Sequence, residues 1–305
     1  MPDNKNPNSL RPIGLFILIS FGYSWPIFFI VDGWLLPKYI AEHNSPAIWL
    51  TALFGHMLAM LGPAVGAVIM WRFYHKESWP SWKWSRLKYY GWAVLAMVSL
   101  WCLPALIGLK FGSSWSVRSP IETYMWVVIG SSLTLGWLAG LGEEVGWCAY
   151  LLPRLAPRIG RSRALVVSGA IRGLWHWPVL IARFIPQVIS GEKSILIFIA
   201  ISIGVALQLI ISNALFGSLF GWIWYRTQSL PLMGWLHQWF DTARDVTVLL
   251  VIGYAGGLWF TALWGIPFYV LASQLLMKEA RDEGASMWTL ALPATPARPK
   301  QSDEN

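Results

Sequence analysis

The chain alternates between long apolar runs and short polar segments, a pattern typical of helices that cross a membrane. The first run extends from Ile13 to Leu36, and seven more fall at about 47–71, 89–109, 123–152, 163–182, 194–224, 230–244 and 247–277. Most of these runs reach the ~20 residues that an α-helix needs to span a bilayer. We therefore predict an all-α integral membrane protein with about eight transmembrane helices in one bundle, the seventh being the shortest.

Polar segments flank the predicted bundle. Residues 1–12 form a predicted N-terminal tail, residues 13–277 the bundle, and residues 278–305 a polar C-terminal tail. Sixteen of the 23 lysine and arginine residues fall in segments on the side of the N-terminus, and six fall in segments on the other side. Because cytoplasmic loops carry the excess of basic residues, we predict a multi-pass protein of the cell membrane with both termini in the cytoplasm.

Composition excludes the soluble classes of protein. Of the 305 residues, 56% are apolar and 12% are charged, and the mean hydropathy is +0.50. The net charge of +8 follows from the basic loops, and we expect the lipid bilayer and no nucleic acid as a partner. Cys102 and Cys148 both lie in apolar runs and indicate neither a disulfide framework nor a thiolate metal site.

Two adjacent carboxylates, Glu143 and Glu144, lie inside the fourth apolar run, about ten residues before Pro153. A carboxylate at membrane depth costs several kcal/mol unless it is paired, protonated or turned towards a wet cavity. On an α-helix the two side chains diverge by about 100°, with Glu143 directed towards Trp147 and Glu144 towards Cys148. We therefore expect the two glutamates to have different roles.

Other ionisable residues at membrane depth are few. Arg172 and His176 share one face of the fifth predicted helix, and Pro178 is expected to bend that helix beside the histidine. His237 and Asp241 share one face of the seventh helix. His56, on the second helix, has no such neighbour and is expected to be a packing residue.

The acidic and imidazole groups of three helices would form a reactive site if they converged. One glutamate, two histidines and an aspartate suffice to activate water and to stabilise an oxyanion. The same groups suffice to hold Zn²⁺ with an open position, and a proton or ion pathway uses the same residue types. The residues alone therefore leave hydrolysis, metal binding and ion transport open.

Three motifs resemble those of the CPBP intramembrane proteases, which include the type II CAAX prenyl endopeptidases and the bacteriocin-processing and immunity proteins called Abi. The sequence Gly-Glu-Glu-Val-Gly-Trp-Cys-Ala-Tyr-Leu-Leu-Pro-Arg-Leu at 142–155 resembles the first motif, Glu-Glu-x-x-x-Arg. Arg172-Gly-Leu-Trp-His176 resembles Phe-x-x-x-His, and His237-Gln-Trp-Phe-Asp241 resembles His-x-x-x-Asn/Asp. The resemblance covers about 120–245, which would be the protease-like core.

The resemblance implies an eight-helix intramembrane endopeptidase whose Glu143 acts as general base on a water molecule. It implies further that His176 helps to bind that water and that His237 and Asp241 stabilise the oxyanion. Whether the site binds Zn²⁺ stays open, and its candidate ligands are Glu143, His176, His237 and Asp241. The substrate would be a peptide or protein, reached from the cytoplasm or within the bilayer. A prenylated CAAX tail is the family's best-known substrate class, although no feature of this sequence indicates prenyl binding.

Two positions depart from the family pattern, because Cys148 replaces an arginine and Arg172 replaces an aromatic residue. Our hypothesis is that Arg172 supplies the missing positive charge from the neighbouring helix and pairs with Glu144. The alternative is a member that kept the fold without proteolysis, as a membrane scaffold or immunity protein. A proton-coupled transporter is a third hypothesis, which the clustering of the ionisable residues disfavours.

Overall fold

The computed structural model describes residues 9–78, 82–110 and 121–247, together with parts of the segment 266–278. Over these residues the chain is helical and has no β-strand. The first half contains α1 (Arg11–Ile30), π1 (Val31–Leu35), α2 (Leu36–Ala41), α3 (Ser45–Leu50), π2 (Thr51–His56), α4 (Met57–Met60), α5 (Gly62–Ile69), π3 (Met70–His75), α6 (Leu87–Lys110) and α7 (Ile121–Thr134). The labels π1 to π3 denote π-helical segments.

The second half carries the residues singled out by the motifs. It contains α8 (Gly136–Glu144), the π-helical π4 (Val145–Leu151), α9 (Leu152–Ile159), α10 (Arg161–Trp175), α11 (Trp177–Ile181), a 3₁₀ turn (Ala182–Phe184), α12 (Ile185–Ile189), α13 (Ile195–Thr227) and α14 (Leu230–Thr247). Several of these segments follow one another without a loop and form longer continuous helices.

Four helices are long and apolar enough to cross a membrane. They are Arg11–Ala41, Ser45–His75, Arg161–Ile181 and Ile195–Thr227, and they coincide with the first, second, fifth and sixth predicted spans. In the part of the chain that the structure describes, the protein is therefore an all-helical membrane protein, and the total of eight spans stays a prediction. Most of the eighth predicted span, 247–277, and nearly all of the two predicted tails lie outside the described residues.

The fourth apolar run is not the single helix that was predicted for 123–152. It is interrupted at Leu135, between α7 and α8. Thr134 donates its hydroxyl hydrogen to the carbonyl oxygen of Gly130 at 2.8 Å, and Ser131 donates to that of Val127 at 2.8 Å. Such side-chain bonds compete with the helical backbone pattern and favour a break.

The end predicted at Pro153 was also wrong. The helix continues through Pro153 into α9 and ends at Gly160, which adopts φ 81°. Pro153 lies where the π-helical pattern of π4 changes to the α-helical pattern of α9, so its missing N–H falls at an existing irregularity of the backbone hydrogen bonds. Gly160 then ends the helix, since glycine adopts positive φ without steric cost.

Glycines around the two glutamates allow close contact between helices. A Cβ atom added at Gly140 would lie 2.8 Å from the carbonyl oxygen of Gly234 on α14, and one at Gly142 would lie 2.7 Å from the side chain of Leu61. This close contact allows α14 to place its side chains directly against α8. The site described below forms at that contact.

Candidate active site

The structure brings together residues that three separate motifs contributed. Glu143 and Glu144 are fully buried near the end of α8, His176 lies at the break between α10 and α11, and His237 lies on α14. Glu143 Oε1 is 3.7 Å from His176 Nε2 and 3.8 Å from His237 Nε2. The predicted convergence of the glutamate and the two histidines is therefore present.

The helix break at His176 has the predicted cause. Pro178 stands at the start of α11, and its missing N–H interrupts the backbone ladder at this point. The backbone N–H of His176 bonds to the carbonyl oxygens of Arg172 and Gly173 at 3.3 and 3.1 Å. The imidazole is thus held at a change of helix direction, beside Glu143.

Glu143 has two carboxylate oxygens in different surroundings. Oε2 accepts a hydrogen bond of 3.2 Å from Trp147 Nε1, which confirms the direction predicted for this side chain. Oε1 is buried and has no hydrogen-bond partner among the described residues. It faces the two Nε2 atoms at distances too long for direct hydrogen bonds. A polar ligand between these three atoms would satisfy an oxygen that burial otherwise leaves unpaired.

Glu144 is bound by groups from three helices. Arg172 Nη2 donates to Oε1 at 2.6 Å, and His237 Nδ1 donates to the same oxygen at 2.7 Å. The thiol of Cys148 lies 2.8 Å from Oε2 and donates to it. The predicted ion pair between Arg172 and Glu144 is therefore present. Arg172 contacts Glu144 rather than Glu143, so the carboxylate expected to act as base is not blocked by it.

Hydrogen bonds fix the orientation of both imidazole rings. His176 Nδ1 lies 2.9 Å from the carbonyl oxygen of Arg172, which can only accept, so this nitrogen carries the hydrogen. His176 Nε2 is left with a lone pair on the side of Glu143. In His237, Nδ1 faces Glu144 and Nε2 lies 3.4 Å from Asp241 Oδ2. The two rings thus present their Nε2 atoms to the same small space.

Asp241 has a second partner that the sequence analysis missed. Arg244 Nη1 donates to Asp241 Oδ1 at 2.7 Å, and Arg244 Nε donates to Asp245 Oδ1 at 2.8 Å. The seventh predicted helix ends at Arg244, but α14 continues to Thr247. The signal was the spacing of three residues between Asp241 and Arg244, which places both on one helix face.

A cavity of about 170 Å³ opens beside this cluster. His176, Gln238, Asp241 and Arg244 line it, together with Asp32 and His56 from the first two spans. His56 is therefore not the isolated packing residue that was predicted, since its Nδ1 lies 2.9 Å from Asp32 Oδ1. Asp32 is ionisable and lies inside the first apolar run, and this was the signal that the sequence analysis overlooked.

The candidate Zn²⁺ ligands are spaced slightly wider in this geometry than the ligands of one zinc ion. Histidine and carboxylate ligands about 2.0–2.2 Å from one tetrahedral zinc would lie roughly 3.3–3.6 Å from each other. Glu143 Oε1 is 3.7 and 3.8 Å from the two imidazole nitrogens. Among the described residues, no group of three or more His, Cys, Asp and Glu side chains is arranged to hold a metal ion. No step proposed below passes through a metal.

The fold and the cluster define a helical membrane protein with a buried glutamate and two histidines beside a polar cavity. Residues 124–243 match the family model described as type II CAAX prenyl endopeptidase Rce1-like. This match confirms the resemblance predicted from the motifs, over a segment that covers less than half of the chain. A comparison with curated proteins gave no match. The matched segment contains Glu143, Glu144, His176, His237 and Asp241, but neither Asp32 nor His56.

Proposed function

We propose that the chain is an intramembrane endopeptidase that hydrolyses a peptide bond with water activated by Glu143. One observation carries this proposal. Glu143 Oε1, which is buried and has no hydrogen-bond partner in the described part of the chain, faces the Nε2 atoms of His176 and His237. The site is part of a segment similar to a family of proteases.

The first step is the activation of water by Glu143 and His176. Water in the space between them donates one hydrogen to Glu143 Oε1 and the other to His176 Nε2, whose lone pair accepts it. Both O–H bonds are then engaged, and a lone pair on the water oxygen is free to attack the carbonyl carbon. Glu143 takes the proton as the new C–O bond forms.

The second step is the stabilisation of the oxyanion by His237. Its Nδ1 faces Glu144 and its Nε2 lies 3.4 Å from Asp241 Oδ2, so carboxylates on both sides support a doubly protonated ring. The Nε2–H group then donates to the oxyanion. The resemblance gave this role to His237 and Asp241 together, but an ionised Asp241 has no hydrogen to donate. We assign to Asp241 the orientation of His237.

The proposed substrate is a peptide or protein that reaches the site from the cytoplasm or from within the bilayer. The matching family is described by its action on prenylated CAAX tails, and we propose such a peptide as the first probe. We do not propose a non-catalytic scaffold, because that alternative relied on the substitutions at Cys148 and Arg172. The ion pair between Arg172 and Glu144, at 2.6 Å, accounts for both substitutions.

The proposal is tested with purified protein and a prenylated CAAX peptide whose cleavage is followed by mass spectrometry. Glu143→Gln keeps the shape of the side chain and removes the base, so kcat should fall by about 10²–10⁴-fold. Glu77→Gln is the matched control. Glu77 pairs with Arg154 at 2.7 Å and its side chain is 51% exposed, so this variant should cleave at the wild-type rate. Cleavage by Glu143→Gln at the wild-type rate would refute the proposal.

A further inference from the structure

A second pair of ionisable residues, Asp32 and His56, lines the same cavity from spans outside the matched segment. His56 Nδ1 lies 2.9 and 3.1 Å from the two oxygens of Asp32. The Asp32 side chain is 9% exposed and that of His56 is 31% exposed, so the imidazole is the more accessible partner. The motifs that gave rise to the proposed mechanism make no use of this pair.

Local backbone structure brings the two residues together. Asp32 lies in π1 and His56 is the last residue of π2. Gly55 allows close contact between these segments, since a Cβ atom there would lie 2.9 Å from the side chain of Val31. A Cβ atom on Gly33 would likewise lie 2.7 Å from Cβ of Ala182. π-helical turns are rare and often occur at functional sites.

Aromatic contacts connect this pair to the proposed active site. The ring of Phe28 lies 5.5 Å from the His56 ring and 5.1 Å from the ring of Trp175, measured between centroids. Trp175 immediately precedes His176 and its ring contacts the His176 imidazole at 4.7 Å. His56 and His176 therefore flank one aromatic contact, and both line the cavity.

The two histidines differ in the group that holds Nδ1. In His176 this group is the neutral carbonyl of Arg172, whereas in His56 it is the Asp32 carboxylate. A carboxylate on Nδ1 holds the imidazole in one orientation and stabilises its protonated form. With Nδ1 occupied, Nε2 of His56 is the nitrogen that can give a proton to a ligand in the cavity.

We propose that His56, held by Asp32, is the proton donor to the leaving amine, an inference that rests on the proposed peptidase function. When the tetrahedral intermediate collapses, the carbonyl re-forms and the C–N bond breaks. The nitrogen takes the proton from His56 Nε2 and leaves as a neutral amine. The proton that Glu143 took from water returns to His56 through water in the cavity. The sum is one water consumed and one peptide bond cleaved.

The test compares two probes that differ in one atom. One is a prenylated CAAX peptide, and the other is its thioester analogue, in which sulfur replaces the nitrogen of the scissile bond. A thiolate can leave without taking up a proton, whereas the amine nitrogen must be protonated before it leaves. His56→Ala should lower kcat for the peptide by about 10²-fold, the lower value for loss of a general acid. The same variant should lower kcat for the thioester by less than about threefold, and KM should be unchanged for both probes.

Two further variants separate proton donation from folding and packing. Asp32→Asn keeps the volume and a hydrogen bond to His56 and should give the same selective loss, smaller in size. His43→Asn, at an exposed histidine with φ 53°, is the control and should change neither rate. Asparagine tolerates this backbone conformation. Thermal unfolding in detergent shows whether each variant is folded.

The outcomes separate this inference from the proposed function. Equal losses on the peptide and the thioester with His56→Ala and with Asp32→Asn mean that the pair only supports the fold, which overturns the proton-donor role. Selective loss on the peptide supports it. Glu143→Gln should lose both activities, because both probes need activated water. If the wild-type protein cleaves neither probe, the peptidase function and the proton-donor role both fail.

Discussion

At the residue scale, Glu144 explains why an arginine occupies position 172. This carboxylate is fully buried, and Arg172 Nη2 lies 2.6 Å from it. The thiol of Cys148, where the family pattern has arginine, contacts the other carboxylate oxygen at 2.8 Å. The positive charge that the motif normally supplies from its own helix comes here from α10. A buried carboxylate without a cation costs several kcal/mol, so the two substitutions depend on each other.

We predict that Arg172→Ala destabilises the protein by about 3–5 kcal/mol, the range for breaking a buried ion pair. The combination Cys148→Arg with Arg172→Phe should recover most of this loss, because an arginine at position 148 lies one turn from Glu144. Thermal unfolding in detergent measures both effects. Arg86→Ala, at an exposed position outside these helices, is the control and should change stability by less than about 0.5 kcal/mol.

The hypothesis fails if Arg172→Ala is as stable as the wild type, or if the double variant is no more stable than Arg172→Ala. Either result would mean that Glu144 does not depend on a positive charge. Cleavage of the CAAX probe should follow stability in this series, because Glu144 orients His237 through the bond of 2.7 Å to Nδ1.

The sequence predicted the directions of the two glutamates and the pairing of Arg172 with Glu144, but it missed the contacts of Arg244 with Asp241 and of His56 with Asp32. The directions of Glu143 and Glu144 followed from helix geometry, and the charge exchange between Cys148 and Arg172 followed from the motif. The pair of Asp32 and His56 did not, because it depends on how two spans face each other. A π-helical turn adds a residue and rotates the face of the helix that follows, so regular α-helical spacing misplaces these side chains.

At the element scale, contact between α10 and α13 positions Arg172 and His176. A Cβ atom on Gly169 would collide with the carbonyl oxygen of Asn213, and one on Gly173 with that of Leu209. Backbone therefore packs directly on backbone over one full turn. Small residues permit such close packing between helices in membranes. Any displacement of α10 would move both site residues.

We predict that Gly173→Leu separates α10 from α13 and abolishes cleavage. It should destabilise the protein by ~1–3 kcal/mol or more. The added side chain has no room, and Arg172 on one side and His176 on the other would move away from the glutamates. Gly204→Ala is the matched control on α13, since a Cβ atom there has nothing within 4 Å. It should stabilise the protein by ~0.5–1 kcal/mol through the helix preference of alanine.

Unfolding temperatures and cleavage rates of the two glycine variants test this account of the packing. Equal behaviour of Gly173→Leu and Gly204→Ala would show that the close contact is dispensable. The sequence places Gly140 and Gly142 beside Glu143, and a Cβ atom at either position would lie within 3 Å of a neighbouring part of the bundle. It did not predict the break at Leu135, because the hydropathy of that run is continuous while the break arises from local hydroxyl bonds.

At the scale of the whole molecule, the cavity is built from more than the segment that matches the family. α8, α11 and α14 line it together with His176, and the first two spans supply Asp32 and His56. Four of the eight predicted spans are confirmed as helices long and apolar enough to cross a membrane. The cytoplasmic position of both termini stays a prediction, which the excess of basic residues in the loops on that side indicates.

The central claim is that water, activated by Glu143, attacks the peptide carbonyl directly. The measurement that tests it is a single turnover in water enriched in ¹⁸O, with protein in excess over the prenylated CAAX peptide. We predict one ¹⁸O atom in the newly formed carboxyl group in the first turnover. An unlabelled carboxyl group in that turnover would contradict the account, because the oxygen would then have come from a carboxylate of the protein that had attacked the carbonyl carbon itself.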